Sequence, residues 1–140
     1  MDKTVQSSLE VRYGETDAMG VVYYANYFNY FEVGRTHFFR HWGMDYAQME
    51  KEGLFAPCID AHCQYLAPAR YGDELVLQTR LCTVKGVRLV FEYDLFLNGR
   101  DKPIARGSTT HACVNAAGRP LALGKHHPQL WQRLKDAVSD

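Results

Sequence analysis

Tyr24-Ala25-Asn26-Tyr27-Phe28-Asn29-Tyr30-Phe31-Glu32-Val33-Gly34-Arg35-Thr36-His37-Phe38-Phe39-Arg40-His41-Trp42 contains no proline and one glycine, Gly34. Tyr27, Phe31, Gly34, Phe38 and Trp42 recur at spacings of four, three, four and four. That row lies on one side of a helix that turns every ~3.6 residues. Phe28 and Phe39 widen the apolar arc, so one part of it is expected to meet a sheet and another a partner chain or a ligand. Gly34 weakens a helix interior slightly, yet lets a neighbouring segment approach closely. A helix of ~16 residues would be ~24 Å long.

On either side the period shortens to two. Val5 to Arg12 predicts a first strand, and Tyr13 to Gly20, with two glycines, predicts a loop. Past the helix, Gly43 makes a stop and Asp45 a cap for a short helix reaching Glu52. Phe55 to Leu66 alternates enough for a strand. Leu75, Leu77, Thr79 and Leu81 share one strand face, and Val87 through Leu97 a second after a turn at Lys85-Gly86. Asn98-Gly99 is a tight-turn signal before a strand from Pro103 to Val114. Leu130, Leu134 and Val138 predict a terminal helix opening near Pro128. One strand, a long helix and about four antiparallel strands make an α+β fold, not a parallel βαβ array.

The chain has 140 residues, sixteen basic and sixteen acidic, so its formal charge is zero. Residues 1–140 are read as one domain. Charge balance argues against a nucleic-acid partner, and no apolar run approaches the ~20 residues of a membrane span. The start lacks a secretory apolar segment, which predicts a cytoplasmic protein. Cys58, Cys63, Cys82 and Cys113 form no Cys-x-x-Cys pair and are expected to be reduced and mostly buried. No histidine spacing supports a metal site, and no Gly-x-Ser-x-Gly elbow or phosphate-binding glycine loop occurs. Nine tyrosines and seven phenylalanines stand out, many of them between Tyr13 and Tyr46.

Asp17 lies in the loop ahead of the long helix. A carboxylate there can act as a base or attack an electrophile. A helix start offers unpaired amides and a positive dipole end, suited to a carbonyl oxygen gaining charge. The competing reading makes Asp17 a turn cap and Gly20 a tight-backbone residue.

The run Arg12-Tyr13-Gly14-Glu15-Thr16-Asp17-Ala18-Met19-Gly20-Val21-Val22-Tyr23-Tyr24-Ala25-Asn26-Tyr27, continuing through Phe31-Glu32-Val33-Gly34-Arg35, resembles the signature of hotdog-fold acyl-CoA thioesterases. It is most similar to the 4-hydroxybenzoyl-CoA thioesterase-like group, which includes small thioesterases of the Tol-Pal cell-envelope system. The resemblance implies a long helix wrapped by an antiparallel sheet, with chains pairing as homodimers or homotetramers to build the sites. It implies that Asp17 is the catalytic carboxylate, attacking the thioester carbonyl or activating water. It also implies that the helix-start amide near Tyr24 polarises the carbonyl. Envelope-associated relatives often carry histidine where this chain has Tyr24.

The resemblance makes acyl-CoA the substrate, with CoA consumed as substrate and no cofactor retained. Tyr23, Asn26 and Tyr27 are candidates for the pocket or a chain interface, and Glu32 for an acidic group on the helix. Arg70, Lys85 and Arg88 are candidates for phosphate oxygens. His62 and His111 read as structural histidines. Two other readings are an acyl-thioester hydratase or dehydratase, whose usual histidine segment has no match here, and a non-catalytic acyl-CoA-binding module.

Overall fold

The computed structural model describes residues 3–139. Five antiparallel strands, β1 (Val5–Glu10), β2 (Cys58–Tyr65), β3 (Glu74–Lys85), β4 (Arg88–Leu97) and β5 (Ala105–Ala112), form one sheet ordered β1-β3-β4-β5-β2. Helix α1 (Asn26–His41) leaves the β1 edge and crosses the sheet, and the chain returns through α2 (Tyr46–Lys51) to β2 on the opposite edge. This is the α+β hotdog arrangement of a long helix wrapped by an antiparallel sheet.

The helical row does what its spacing requires. Tyr27, Phe31, Gly34 and Phe38 are buried, and Trp42 is half-buried at the helix end. Phe31 stacks on Tyr93 of β4 with ring centres 4.4 Å apart, and Phe38 meets Phe91 edge-on at 5.5 Å. Each such ring contributes roughly 1.5–3 kcal/mol when fully buried. Their partners come from the alternation of β3 and β4, whose inward residues Leu75, Leu77, Thr79, Leu81, Leu89, Phe91, Tyr93 and Leu95 are all buried. Gly34 is where helix and sheet come closest: a Cβ there would strike the Leu77 and Thr79 side chains.

Of the boundaries that differ from the sequence reading, three have a local reason. The long helix starts at Asn26, because the backbone before it is a turn tied by Asn26 N–H donating to the Tyr23 carbonyl at 2.9 Å. Strand β3 runs on to Lys85, past a register shift between Leu81 and Thr83. The terminal helix, α4 (Pro128–Ala137), follows a single turn, α3 (Leu123–His126), and stops before Val138. Val138 instead bridges Leu81, and the Ser139 amide donates to the Leu81 carbonyl at 2.9 Å. This tail covers the part of β3 that the shorter β1 leaves unpaired.

Strand β2 contrasts with its neighbours. Seven of its eight residues are exposed and only Cys63 is half-buried, so among the described residues the strand is largely uncovered apart from Cys63 against the core and Tyr65 against Tyr27. Among the described residues no helix is long and apolar enough to cross a membrane.

Candidate active site

The segment between β1 and α1 folds back on itself. Thr16 bridges Val22, and Val21 bridges Arg70 ahead of β3. The Asp17 amide donates to the Val21 carbonyl and the Gly20 amide to the Asp17 carbonyl, both at 2.9 Å. Gly20 closes this turn at φ 78°, a left-handed conformation that glycine adopts without a Cβ penalty.

Glu15 holds the loop against the helix. One of its carboxylate oxygens accepts the Arg12 amide at 2.8 Å and the Tyr30 hydroxyl at 3.0 Å. Its carbonyl accepts the Tyr23 amide and the Asn26 side-chain amide, both at 2.9 Å. Asn26 is therefore engaged in joining loop to helix. Burial, with help from Glu15, pushes the Tyr30 phenol well above its ordinary value and keeps it a donor.

Asp17 uses half of its carboxylate in the turn: Oδ1 accepts the Met19 amide at 2.8 Å. Its other oxygen has no partner among the described residues, and the side chain is exposed. Turn capping and chemistry are thus both open to one residue. Beyond it, α1 starts with Ala25 in the cap position, which has no side-chain acceptor to offer. Among the described residues the amides of Tyr24 and Ala25 meet no acceptor, whereas those of Asn26, Tyr27 and Phe28 reach carbonyls three residues back. Two unclaimed N–H groups at a helix start can receive an oxygen that gains negative charge.

Aromatic rings wall this end of the molecule. Tyr23 and Tyr24, 46% and 59% exposed, lie with ring centres 4.7 Å apart. The Tyr24 hydroxyl and its charge raise the Tyr23 phenol above its usual range, and the Asp17 charge adds to this. Tyr27 is buried and meets Tyr65 of β2 edge-on at 4.9 Å. The Tyr65 hydroxyl donates to the Tyr24 carbonyl at 2.8 Å.

The other candidates divide by position. Arg70 is beside the loop: its guanidinium would be 3.8 Å from a Cβ on Gly20, and it makes no ion pair among the described residues. Lys85 and Arg88 face each other across the β3–β4 hairpin. They lie at the far end of β3, a strand about 35 Å long at ~3.3 Å per residue, so one chain does not bring them to Asp17. Glu32 is exposed on α1, between a 930 Å³ groove shared with Arg12 and Asn26 and a 430 Å³ cleft shared with Arg35 and His111.

That cleft reaches a buried polar network which sequence reading did not find. Arg35 donates to the Tyr93 hydroxyl at 3.0 Å, and that hydroxyl lies 2.6 Å from Thr109 Oγ1. His111 Nε2 is 3.0 Å from the same Thr109 oxygen, and its Nδ1 is 2.9 Å from the Ala56 carbonyl. His111 has both nitrogens engaged, as a structural histidine should, whereas His62 is exposed on β2. Of the cysteines, Cys113 is buried, Cys63 and Cys82 are half-buried, and Cys58 is exposed. No group of three His, Cys, Asp or Glu side chains is placed to hold a metal among the described residues.

The pattern of the thioesterase-like superfamily matches residues 11–136. The chain belongs to that superfamily. YneP, a candidate acyl-CoA thioesterase of Bacillus subtilis (strain 168), is 35% identical to this thioesterase-like chain over 124 residues, covering 88% of the chain and 89% of YneP. YbgC, an acyl-CoA thioester hydrolase of Escherichia coli O6:H1, is 31% identical over 118 residues, covering 84% of the chain and 87% of YbgC. The DHNA-CoA thioesterase from Staphylococcus aureus has a TM-score of 0.91 and 29% identity, over 95% of the chain and 89% of its own. Family and fold are those that the Glu15 to Arg35 motif of this superfamily member implied.

Proposed function

We propose that this enzyme hydrolyses an acyl-CoA thioester to a carboxylic acid and free CoA. Asp17 acts in one of two balanced ways. As nucleophile, its free oxygen adds to the thioester carbonyl, CoA leaves as a thiolate that takes up a proton, and water cleaves the resulting anhydride. As general base, it takes a proton from water while the new hydroxide adds to the carbonyl, and the proton then passes to the CoA thiolate as it leaves. In both routes the carbonyl oxygen gains charge, and the Tyr24 amide at the head of α1 stabilises it. The observation that carries this reading is the pairing of a half-free carboxylate with unclaimed amides across one tightly bridged loop.

The exposed rings of Tyr23 and Tyr24, with Tyr27 behind, supply an apolar wall for the acyl group. Arg70 is the base beside the loop and the first candidate for CoA phosphate oxygens. Lys85 and Arg88 serve that role only in a site shared with another chain. Sharing fits the uncovered strand β2, on which Ile59 and Tyr65 are 50% and 44% exposed. We assign a homodimer or homotetramer in the cytoplasm, with no nucleic-acid partner and no cofactor besides its CoA substrate.

A thiol-release assay with benzoyl-, butyryl- and decanoyl-CoA tests the reaction. Release of free CoA with the matching acid supports it. Binding of all three without thiol release would instead make the chain an acyl-CoA-binding module, and an intact thioester with altered hydration would make it a hydratase.

A further inference from the structure

Tyr65 sits at the end of edge strand β2, forty-one residues from Tyr24 in sequence, yet its hydroxyl reaches the Tyr24 carbonyl at 2.8 Å. The ring is held independently of that bond, edge-on to Tyr27 at 4.9 Å and to Tyr24 at 6.4 Å. The Tyr24 carbonyl and the Ala25 N–H belong to one planar peptide unit. Fixing that carbonyl, which also accepts the Tyr27 amide at 3.4 Å, fixes the direction of the Ala25 amide. The neighbouring Tyr23–Tyr24 peptide is held in a similar way, its carbonyl accepting the Asn26 amide at 2.9 Å. A donor on a peptide carbonyl also polarises the unit and strengthens its N–H as a donor in turn.

We infer that Tyr65 is a positioning residue for hydrolysis, its hydroxyl holding and polarising the Tyr24–Ala25 peptide so that the Ala25 N–H joins the Tyr24 amide at the reacting carbonyl oxygen. The inference rests on the thioesterase reading above and extends it to a residue of another element. Burial and the nearby Cys63 thiol push the Tyr65 phenol up to about 12, so it remains a donor throughout the neutral range. The bond is exposed and lies on an edge strand, where one neutral hydrogen bond contributes little to folding. Tyr65→Phe keeps the ring and its contacts and removes only the O–H.

The test has two readouts. In steady-state thiol release with benzoyl-, butyryl- and decanoyl-CoA, Tyr65→Phe should lower kcat roughly three- to tenfold, the size of one hydrogen bond felt in the transition state, with KM little changed. Raman difference spectra of the best of these thioesters bound to Asp17→Asn should show a carbonyl stretch lowered from its solution value. Adding Tyr65→Phe to Asp17→Asn should bring the stretch back towards solution. An unchanged kcat, a raised KM alone, or a kcat loss with an unmoved stretch would each overturn the role of Tyr65 while leaving the hydrolase reading in place. No thiol release by the wild-type protein from any of the three would overturn that reading, and this inference with it.

Discussion

Phe31 of α1 occupies the space that a side chain on Gly107 of β5 would need. A Cβ at position 107 would run into the Phe31 ring and come within 2.8 Å of the His62 carbonyl on the other side. The ring has little freedom to yield, because it stacks on Tyr93. Gly107→Ala should therefore destabilise the fold by about 1–3 kcal/mol, as overpacking of a filled core does. Urea denaturation measures this, and an unchanged midpoint would show that helix and sheet have slack at their contact.

The His111 imidazole is held below its ordinary value of 6.5, chiefly by burial and further by the Arg35 charge, against the opposing pull of the Ala56 carbonyl. The folded state thus binds this proton less readily than the unfolded chain does, so stability rises with pH. His111 contributes fully above about pH 6.5, and its contribution is lost as the pH falls through the unfolded value towards the lower folded one. Chemical denaturation between pH 8 and pH 5 should show wild-type stability falling on acidification, with a shallower fall in His111→Gln. Parallel slopes in the two proteins would contradict this.

Tyr24→Phe should leave kcat/KM within about threefold of wild type, because the group assigned to the reaction is a backbone amide and survives the change. A loss approaching that of the carboxylate variant described below would show instead that the Tyr24 hydroxyl takes part.

Ile59 is half exposed on β2, a strand that is largely exposed. If chains pair across β2, a charge there is left without water in the assembly, at a cost of several kcal/mol. Light scattering should find wild-type dimers or tetramers, with Ile59→Lys shifted towards monomer and poorer in activity. A wild-type monomer at assay concentration would contradict shared sites.

The helix and the central strands were legible in the sequence because their signals are local and periodic. Tyr27, Phe31, Gly34 and Phe38 repeat at helical spacing, and Leu75, Leu77, Thr79 and Leu81 at strand spacing. Asp17 could be picked out because it stands next to a helix start within a continuous motif. Glu15 lies inside that motif, but nothing in it marks its contacts, and Tyr65 has no such signal. Glu15 acts through Arg12, Tyr23, Asn26 and Tyr30 at once, and Tyr65 through a carbonyl on another element. Neither pairing leaves a spacing to read. The Arg35–Tyr93–Thr109–His111 network likewise joins α1, β4 and β5 only after folding. Charge alone groups Lys85 and Arg88 with Arg70, and strand length is what separates them.

The central claim is that the Asp17 carboxylate performs the chemistry and does more than cap its turn. Asp17→Asn isolates that claim, since the amide oxygen of asparagine can still accept the Met19 N–H and keep the loop closed while the charge is lost. The decisive measurement is kcat/KM for thiol release in Asp17→Asn against wild type, both shown folded by melting. A fall of roughly 10²–10⁴-fold is predicted for removal of the acting base or nucleophile; an unchanged kcat/KM would contradict the account.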